Sequence, residues 1–448
     1  MLEFLRRVAF MAMGLALGLA PLISSRLALA QCDGDCNYDE IVEKTDLVEA
    51  VNIALGHDPY YDCYYGDVNQ DQTITVDEIL VAVNHAENNC APIPTPTVNP
   101  QAPPLDRGLM HLGQGDLRDA NTAFGEAVTA QPNNAAANMY YAMTRLATAM
   151  LDAPAIVDLL NRSGVVIEGG TTDVCNLAVH VPPKDAIPGS APRTGEIVET
   201  LRTVLMPEVQ NSLGDLKRIS ESAVISFDLH NLPRCVSPPT QAKIVEIDYA
   251  DVLALMAGIN GVGAWLDLLT AYNVDVSVGM AANSSAQGVF NAEPNLLTLQ
   301  HADRLITARN QFDAMLASTS QAIDAVRQET DDQSNDVFVI QPDDQHAADQ
   351  VKLIVDLMRQ ALVGEVTLPI DVITGEVVLM DIGLLSQERL NLNPFFTGQF
   401  TSLRPLLPPF DANGDFDQSR FPDPTFGGMA PDFTQFKIDN FLRDASFR

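Results

Sequence analysis

From about residue 105 onward, apolar residues recur at three- and four-residue spacing along most of the chain, and that period predicts helices. Ile197, Leu201, Val204, Leu205, Val209, Leu213, Leu216 and Ile219 share one face of a helix over 194–220, with a kink expected at Pro207. A second helix is predicted over 248–272, opened by Asp248 as a cap and carrying Leu253, Met256, Ile259, Trp265 and Leu269 on a broad apolar face. Leu305, Ala308, Phe312, Met315, Leu316, Ile323 and Val326 place a third over 299–328, and Val351, Ile354, Val355, Met358 and Leu362 a fourth over 347–363. Upstream, Gly115-Asp116 marks a turn before a helix with Ala120, Phe124 and Ala127 on one face, and Pro132-Asn-Asn134 ends it. The one strand candidate of any strength is a hairpin, 367–373 returning through Thr374-Gly375 to 377–382. From about 385 the chain is rich in Pro, Phe and Gly and reads as an irregular wrap over the helices.

The polar positions carry their own pattern near the N-terminus. Asp35, Asn37 and Asp39 stand at the first, third and fifth positions of a twelve-residue loop that ends at Asp46. Thirty-two residues on, Asp67, Asn69 and Asp71 open a second loop that ends at Glu78. Ile41 and Thr73 occupy the seventh positions, where a loop of this type offers a backbone carbonyl, and Val42 and Ile74 the eighth, where paired loops join. Ca²⁺ needs six to eight oxygens converging from a short backbone, and this EF-hand-type spacing supplies them. The match continues from Asp46-Leu-Val-Glu-Ala-Val-Asn52 to Glu78-Ile-Leu-Val-Ala-Val-Asn84, which is an internal duplication.

With no room for an entering helix before the first loop, residues 32–90 resemble a dockerin, and the resemblance implies Ca²⁺ at both loops. Two features depart from that family. The sixth positions, normally Gly, hold Glu40 and Gln72, which strains the backbone. The late loop positions hold Lys44-Thr45 and Val76-Asp77, which do not match one another, so cohesin recognition does not follow from the resemblance. Gln114-Gly-Asp116, Ala120, Phe124, Ala127 and Pro132-Asn-Asn134 resemble the latter part of a tetratricopeptide repeat, in which small residues let two helices approach. That resemblance covers about 105–150 and implies one repeat packed on a non-repeating helical body.

Residues 1–30 read as a cleavable signal peptide, with Arg6 and Arg7 before an apolar run over 8–20 and Ala28-Leu29-Ala30 before the cut. No later segment reads as a transmembrane span. Export places Cys32, Cys36, Cys63, Cys90, Cys175 and Cys235 in an oxidising compartment, so disulfides are expected. Cys175 and Cys235 form the natural pair outside the duplicated unit, and the other four leave three pairings open. Removing three arginines and one glutamate with the signal takes the formal charge from −33 to about −35. Such a surface repels nucleic acid and favours divalent cations. The proline-rich stretch 91–104 reads as an extended linker between the calcium module at 32–90 and a helical domain at 105–448.

Asp411, Asn413, Asp415 and Asp417 repeat the alternating oxygen pattern, but the twelfth position holds Pro422. The cluster reads as a polar surface turn first and as a further metal site second. The seven histidines form no ligand pair, no G-x-S-x-G elbow or phosphate loop is present, and Asp331-Asp332 and Asp343-Asp344 lie in polar stretches. Trp265, beside Leu266 and Leu269, is expected in the core. The sequence therefore predicts a mainly α chain: a small paired EF-hand-like calcium module, then a larger helical bundle or repeat-like body with a minor β-hairpin. The expected function is that of a secreted, periplasmic or cell-surface protein, calcium-binding and non-catalytic, which binds or scaffolds a protein or polysaccharide partner. The alternatives are a secreted carbohydrate-active enzyme and an envelope assembly factor using a groove beside the repeat.

Overall fold

The computed structural model describes residues 34–36, 42–57, 59, 63, 66–67, 73–87, 98–168, 170–172, 174, 177–183, 186–228, 244–329, 337–340, 344–367 and 388–438. These are mainly helical, with small two-stranded sheets. Helices α1 (Lys44–Ala54) and α2 (Val76–Glu87) pack on each other. The helical body begins with α3 (Pro104–Gly113), α4 (Leu117–Ala130) and α5 (Ala135–Asp152), each packed on the next. Asp116 caps α4 by accepting the Asp119 N–H at 3.1 Å, and Asn134 caps α5 by accepting the Ala137 N–H at 2.9 Å. These are the turn residues that the sequence marks. Phe124 of α4 is fully buried, stacked on Tyr140 of α5 with ring centroids 5.1 Å apart. Gly108 of α3 meets one edge of the Phe124 ring so closely that an added Cβ would lie 2.3 Å from it.

Helix α6 (Pro154–Arg162) leads to α7 (Thr194–Leu216) and α8 (Tyr249–Ala271), close to the predicted bounds. The α7 helix runs on through Pro207, with Leu205, Met206 and Val209 buried around it. Asp248 caps α8 as expected, accepting the Ala250 and Asp251 N–H groups. Met139, Ala142 and Leu146 of α5, Val209 and Leu216 of α7, and Val252 and Ile259 of α8 form one buried cluster. Ser212, fully buried on α7, donates across it to the Ala142 carbonyl at 2.9 Å. Whereas the sequence reads as having no span beyond the N-terminal apolar run, α8 is by length and composition apolar enough to cross a membrane. It packs on α7 and α11 and carries buried Asp251, Asn260 and Asp267, the last paired with Arg202 at 2.7 Å, so in this fold it is a core helix.

Short helices α9 (Val278–Asn283) and α10 (Ala286–Ala292) precede α11 (Ala302–Val326), which packs along α8, and α12 (Gln345–Ala361), which packs on α11. Trp265 is a correction: it is 51% exposed on α8, with its edge against Phe312 of α11 at 6.2 Å. Its helix is apolar nearly all round, so apolar neighbours in sequence do not decide which side meets a partner: Leu266 beside it is buried and Trp265 is not.

Three antiparallel pairs complete the described elements. Strands β1 (Val166–Glu168) and β2 (Ala178–His180) pair with Val166 opposite His180, and β3 (Ile225–Asp228) and β4 (Ile244–Ile247) pair with Ile225 opposite Ile247. These four strands were not predicted; at three or four residues each they are too short to show a period. The predicted hairpin lies outside the described residues except for Thr367, which belongs to β5 (Val366–Thr367) and pairs with β6 (Arg389–Leu390). Beyond β6 the chain is mostly turns, broken by helix α13 (Asn393–Phe396). It is tied to the helices through Leu392 N–H to the Ala361 carbonyl at 2.8 Å and Leu299 N–H to the Thr401 carbonyl at 2.9 Å.

Candidate metal centres

Each of the two acidic loops is followed by a helix whose third residue is the loop's twelfth. Asp46 is the third residue of α1, and its Oδ2 accepts the Glu43 N–H at 2.8 Å. Glu78 holds the equivalent place in α2, and its Oε2 accepts the Thr75 N–H at 2.8 Å and the Thr75 hydroxyl at 3.1 Å. This is the capping geometry that an acidic side chain at a helix N-terminus provides. Here it also folds the loop's twelfth residue back over its ninth. Asp46 Oδ1 accepts the Cys36 N–H at 3.1 Å as well, which joins the two ends of the first loop.

The first-position carboxylates are held just as far from water. Asp35 and Asp67 are 3% and 5% exposed, and Asp46 and Glu78 are 1% exposed each. Ionised carboxylates are costly to bury unless positive charge or a full set of hydrogen bonds meets them. Between Cys32 and Cys90 the chain has nine aspartates, five glutamates, one lysine and no arginine, and that lysine, Lys44, is exposed. Thr73 is exposed at its seventh position. Asn37, Asp39, Ile41, Asn69 and Asp71 lie outside the described residues.

The packing between the loops follows the duplication. Val42 and Ile74, the eighth-position residues, are both buried. Val42 clusters with Ala82 of α2, and Ile74 with Ala50 and Ile53 of α1, so each loop packs on the other's helix. Ala50 and Ala82 are equivalent positions, and both are 1% exposed. Sequence reasoning missed the glycines just before each loop, although the 32-residue repeat aligns Gly34 with Gly66. Gly34 has φ +96°, and an added Cβ there would lie 2.3 Å from Ala82 Cβ. At Gly66 the same atom would meet Ile74 Cδ1 at 2.7 Å.

Cys36 and Cys63 are joined in a disulfide that ties the first loop to the segment before the second, with Cα atoms 4.2 Å apart. This settles the partner of Cys36 among those left open by the sequence. Neither described cysteine is free; Cys32, Cys90, Cys175 and Cys235 lie outside the described residues. Closing a loop of sequence separation 27 contributes about 3–4 kcal/mol on the chain-entropy account.

At the third acidic cluster, Asp411 Oδ1 accepts the Asn413 N–H at 2.8 Å and the Asp415 N–H at 2.9 Å, while Asp417 Oδ1 accepts the N–H and hydroxyl of Ser419. Phe410 and Phe416 bridge across the loop. Asp411, Asn413 and Asp415 are exposed, so the carboxylates serve a hydrogen-bonded surface turn. Among the described residues, the acid–histidine group with ligand atoms within 4.8 Å of one another is His111, Asp116 and Asp119, at the turn between α3 and α4. Reading the histidines for partners among themselves missed it, because the partners are carboxylates across a turn. The Asp116 carboxylate already caps α4, accepting the Asp119 N–H.

Beside this apolar core, buried carboxylates thus stand at the first and twelfth positions of both loops. Such a donor set suits a hard cation. No family model matches the chain, and no curated protein or solved structure shows significant similarity to it.

Proposed function

We propose that residues 32–90 bind two Ca²⁺ ions in a unit resembling a dockerin, and that the chain is an exported, non-catalytic binding or scaffolding protein. The observation that carries this reading is that the carboxylates standing at the first and twelfth positions of both loops by spacing are also the buried ones, at 5% exposure or less. A divalent cation at each loop would offset the cost of holding those charges away from water. Asp35, Asn37, Asp39, the Ile41 carbonyl and Asp46 would hold one ion, and Asp67, Asn69, Asp71, the Thr73 carbonyl and Glu78 the other. Glu78 reaches far enough to chelate with both oxygens, whereas Asp46 is one carbon shorter and already accepts backbone bonds on both. The second loop is therefore the tighter site.

The helical body begins with a hairpin resembling a tetratricopeptide repeat. Gly108, Ala120, Phe124 and Ala127 support that resemblance, since the small residues sit where α3, α4 and α5 approach. The body would present a surface to a protein or polysaccharide partner at the cell surface, with the calcium unit beside it. Titration calorimetry on the full chain, made calcium-free with a chelator, tests the metal reading. Two sites are expected, with Glu78→Gln weakening the tighter one at least about tenfold and Asp46→Asn affecting only the weaker. An absence of saturable calcium heat in the unaltered chain would overturn it.

A further inference from the structure

Four of the chain's phenylalanines converge far from the acidic loops in sequence. Phe290 of α10 stands edge-on to both Phe410 and Phe416 at 5.8 Å, those two rings lie 5.2 Å apart, and Phe421 follows on the same wall. None of the four is fully buried. Together with three prolines they line an open cavity of about 370 Å³, within the range of small-molecule sites. The walls are held in place by backbone bonds, Gln287 N–H to the Gly414 carbonyl and Asp417 N–H to the Pro409 carbonyl, both 2.8 Å.

Two arginines complete the lining, and their states differ. Arg404 donates through Nη1 to the Pro294 carbonyl at 2.8 Å and through Nη2 to the Phe290 carbonyl at 3.0 Å, with its guanidinium 4.6 Å from the Phe290 ring centroid. It is committed to the wall, but its charge remains there. Arg420 is 78% exposed, and among the described residues the carboxylate paired with it is Asp417, at 3.6 Å, beyond a tight ion pair. A guanidinium so loosely held can take a carboxylate in the mouth of the cavity. In a chain of net charge −33, the lining of this cavity holds two arginines and no carboxylate, although Asp411, Asp415 and Asp417 stand on the loop that carries Phe410 and Phe416. Any pull on an organic anion therefore comes from the two guanidinium groups at close range. Flat aromatic walls favour a ring, and the arginines favour a negative group on it.

We propose that this cavity binds a small aryl carboxylate, its ring among Phe290, Phe410, Phe416 and Phe421 and its carboxylate toward Arg420. The site does not depend on the calcium reading. The test uses the full chain in saturating calcium, 2-naphthoate as the probe and 2-naphthylmethanol as its neutral counterpart, followed by calorimetry. The expected result is saturable one-to-one binding in which the carboxylate binds about fivefold or more tighter than the alcohol. Arg420→Gln should abolish that preference and leave the alcohol unchanged, while Arg118→Gln, an arginine on a distant helix, should change neither. Phe416→Leu should weaken both probes, with a thermal melt confirming the fold. Absence of saturable binding, or a preference that survives Arg420→Gln, would overturn the proposal.

Discussion

Adding one methyl group at Gly108 tests the hairpin that opens the helical body. Two effects oppose each other. In a helix interior, Ala is favoured over Gly by about 1 kcal/mol, so α3 alone would be stabilised by Gly108→Ala. The new Cβ, however, would lie 2.3, 2.4 and 2.9 Å from three atoms of the Phe124 ring. That ring has little room to retreat, because it is fully buried and stacked on Tyr140 at 5.1 Å. Overpacking of this kind costs about 1–3 kcal/mol, and the trapped ring places the cost in the upper half of that range. The net expectation is destabilisation by about 1–2 kcal/mol. Phe124→Leu removes the ring edge and destabilises by itself, but it leaves room for the methyl, so Gly108→Ala on that background should become neutral or stabilising. The coupling between the two sites should reach about 1–3 kcal/mol. Urea denaturation followed by circular dichroism, with calcium held constant, measures all four corners of the cycle. A higher midpoint for Gly108→Ala alone, or strict additivity in the double variant, would refute the close approach of α3 and α4.

The remaining expectations concern the loops and the C-terminal wrap. Gly34→Ala should weaken calcium binding at least about tenfold, because its φ of +96° strains any side chain and its Cβ would meet Ala82; calorimetry reads the loss. Arg389 grips Asp432 through two hydrogen bonds of 2.7 and 2.8 Å and holds its carboxyl down to about 2. A depressed acid contributes stability above its ordinary range and loses it as pH falls through the folded value. The unaltered chain should therefore exceed Asp432→Asn in stability by a constant margin from pH 7 to about 4, and that margin should shrink between about pH 4 and 2. A margin that persists at pH 2 would show that the pair is not its source.

Period was the legible part of this chain. Helices α7, α8, α11 and α12 stand close to where three- and four-residue spacing put them, and Asp116, Asn134 and Asp248 cap the helices that follow them. Short strands were not legible, since three residues hold no period and β1 to β4 depend on partners found only in space. The position of Trp265 was misread because local apolar neighbours say nothing about which face of an all-round apolar helix meets its partners. At the loops, spacing alone singled out Asp35, Asp46, Asp67 and Glu78, and their burial follows from the same duplication. Gly34 and Gly66 needed the alignment of the two halves, and the partner of Cys36 needed the fold, because spacing ranks no pairing above another.

The central claim is that the paired loops hold calcium, and counting the ions tests it most directly. Purified full-length chain, dialysed against trace calcium and then against metal-free buffer without chelator, should retain up to two calcium ions per molecule by inductively coupled plasma mass spectrometry. The ion at the second loop should be the last to leave, and Glu78→Gln should retain fewer. A chain that carries no calcium after equilibration at millimolar calcium, measured against the dialysate, would contradict the account.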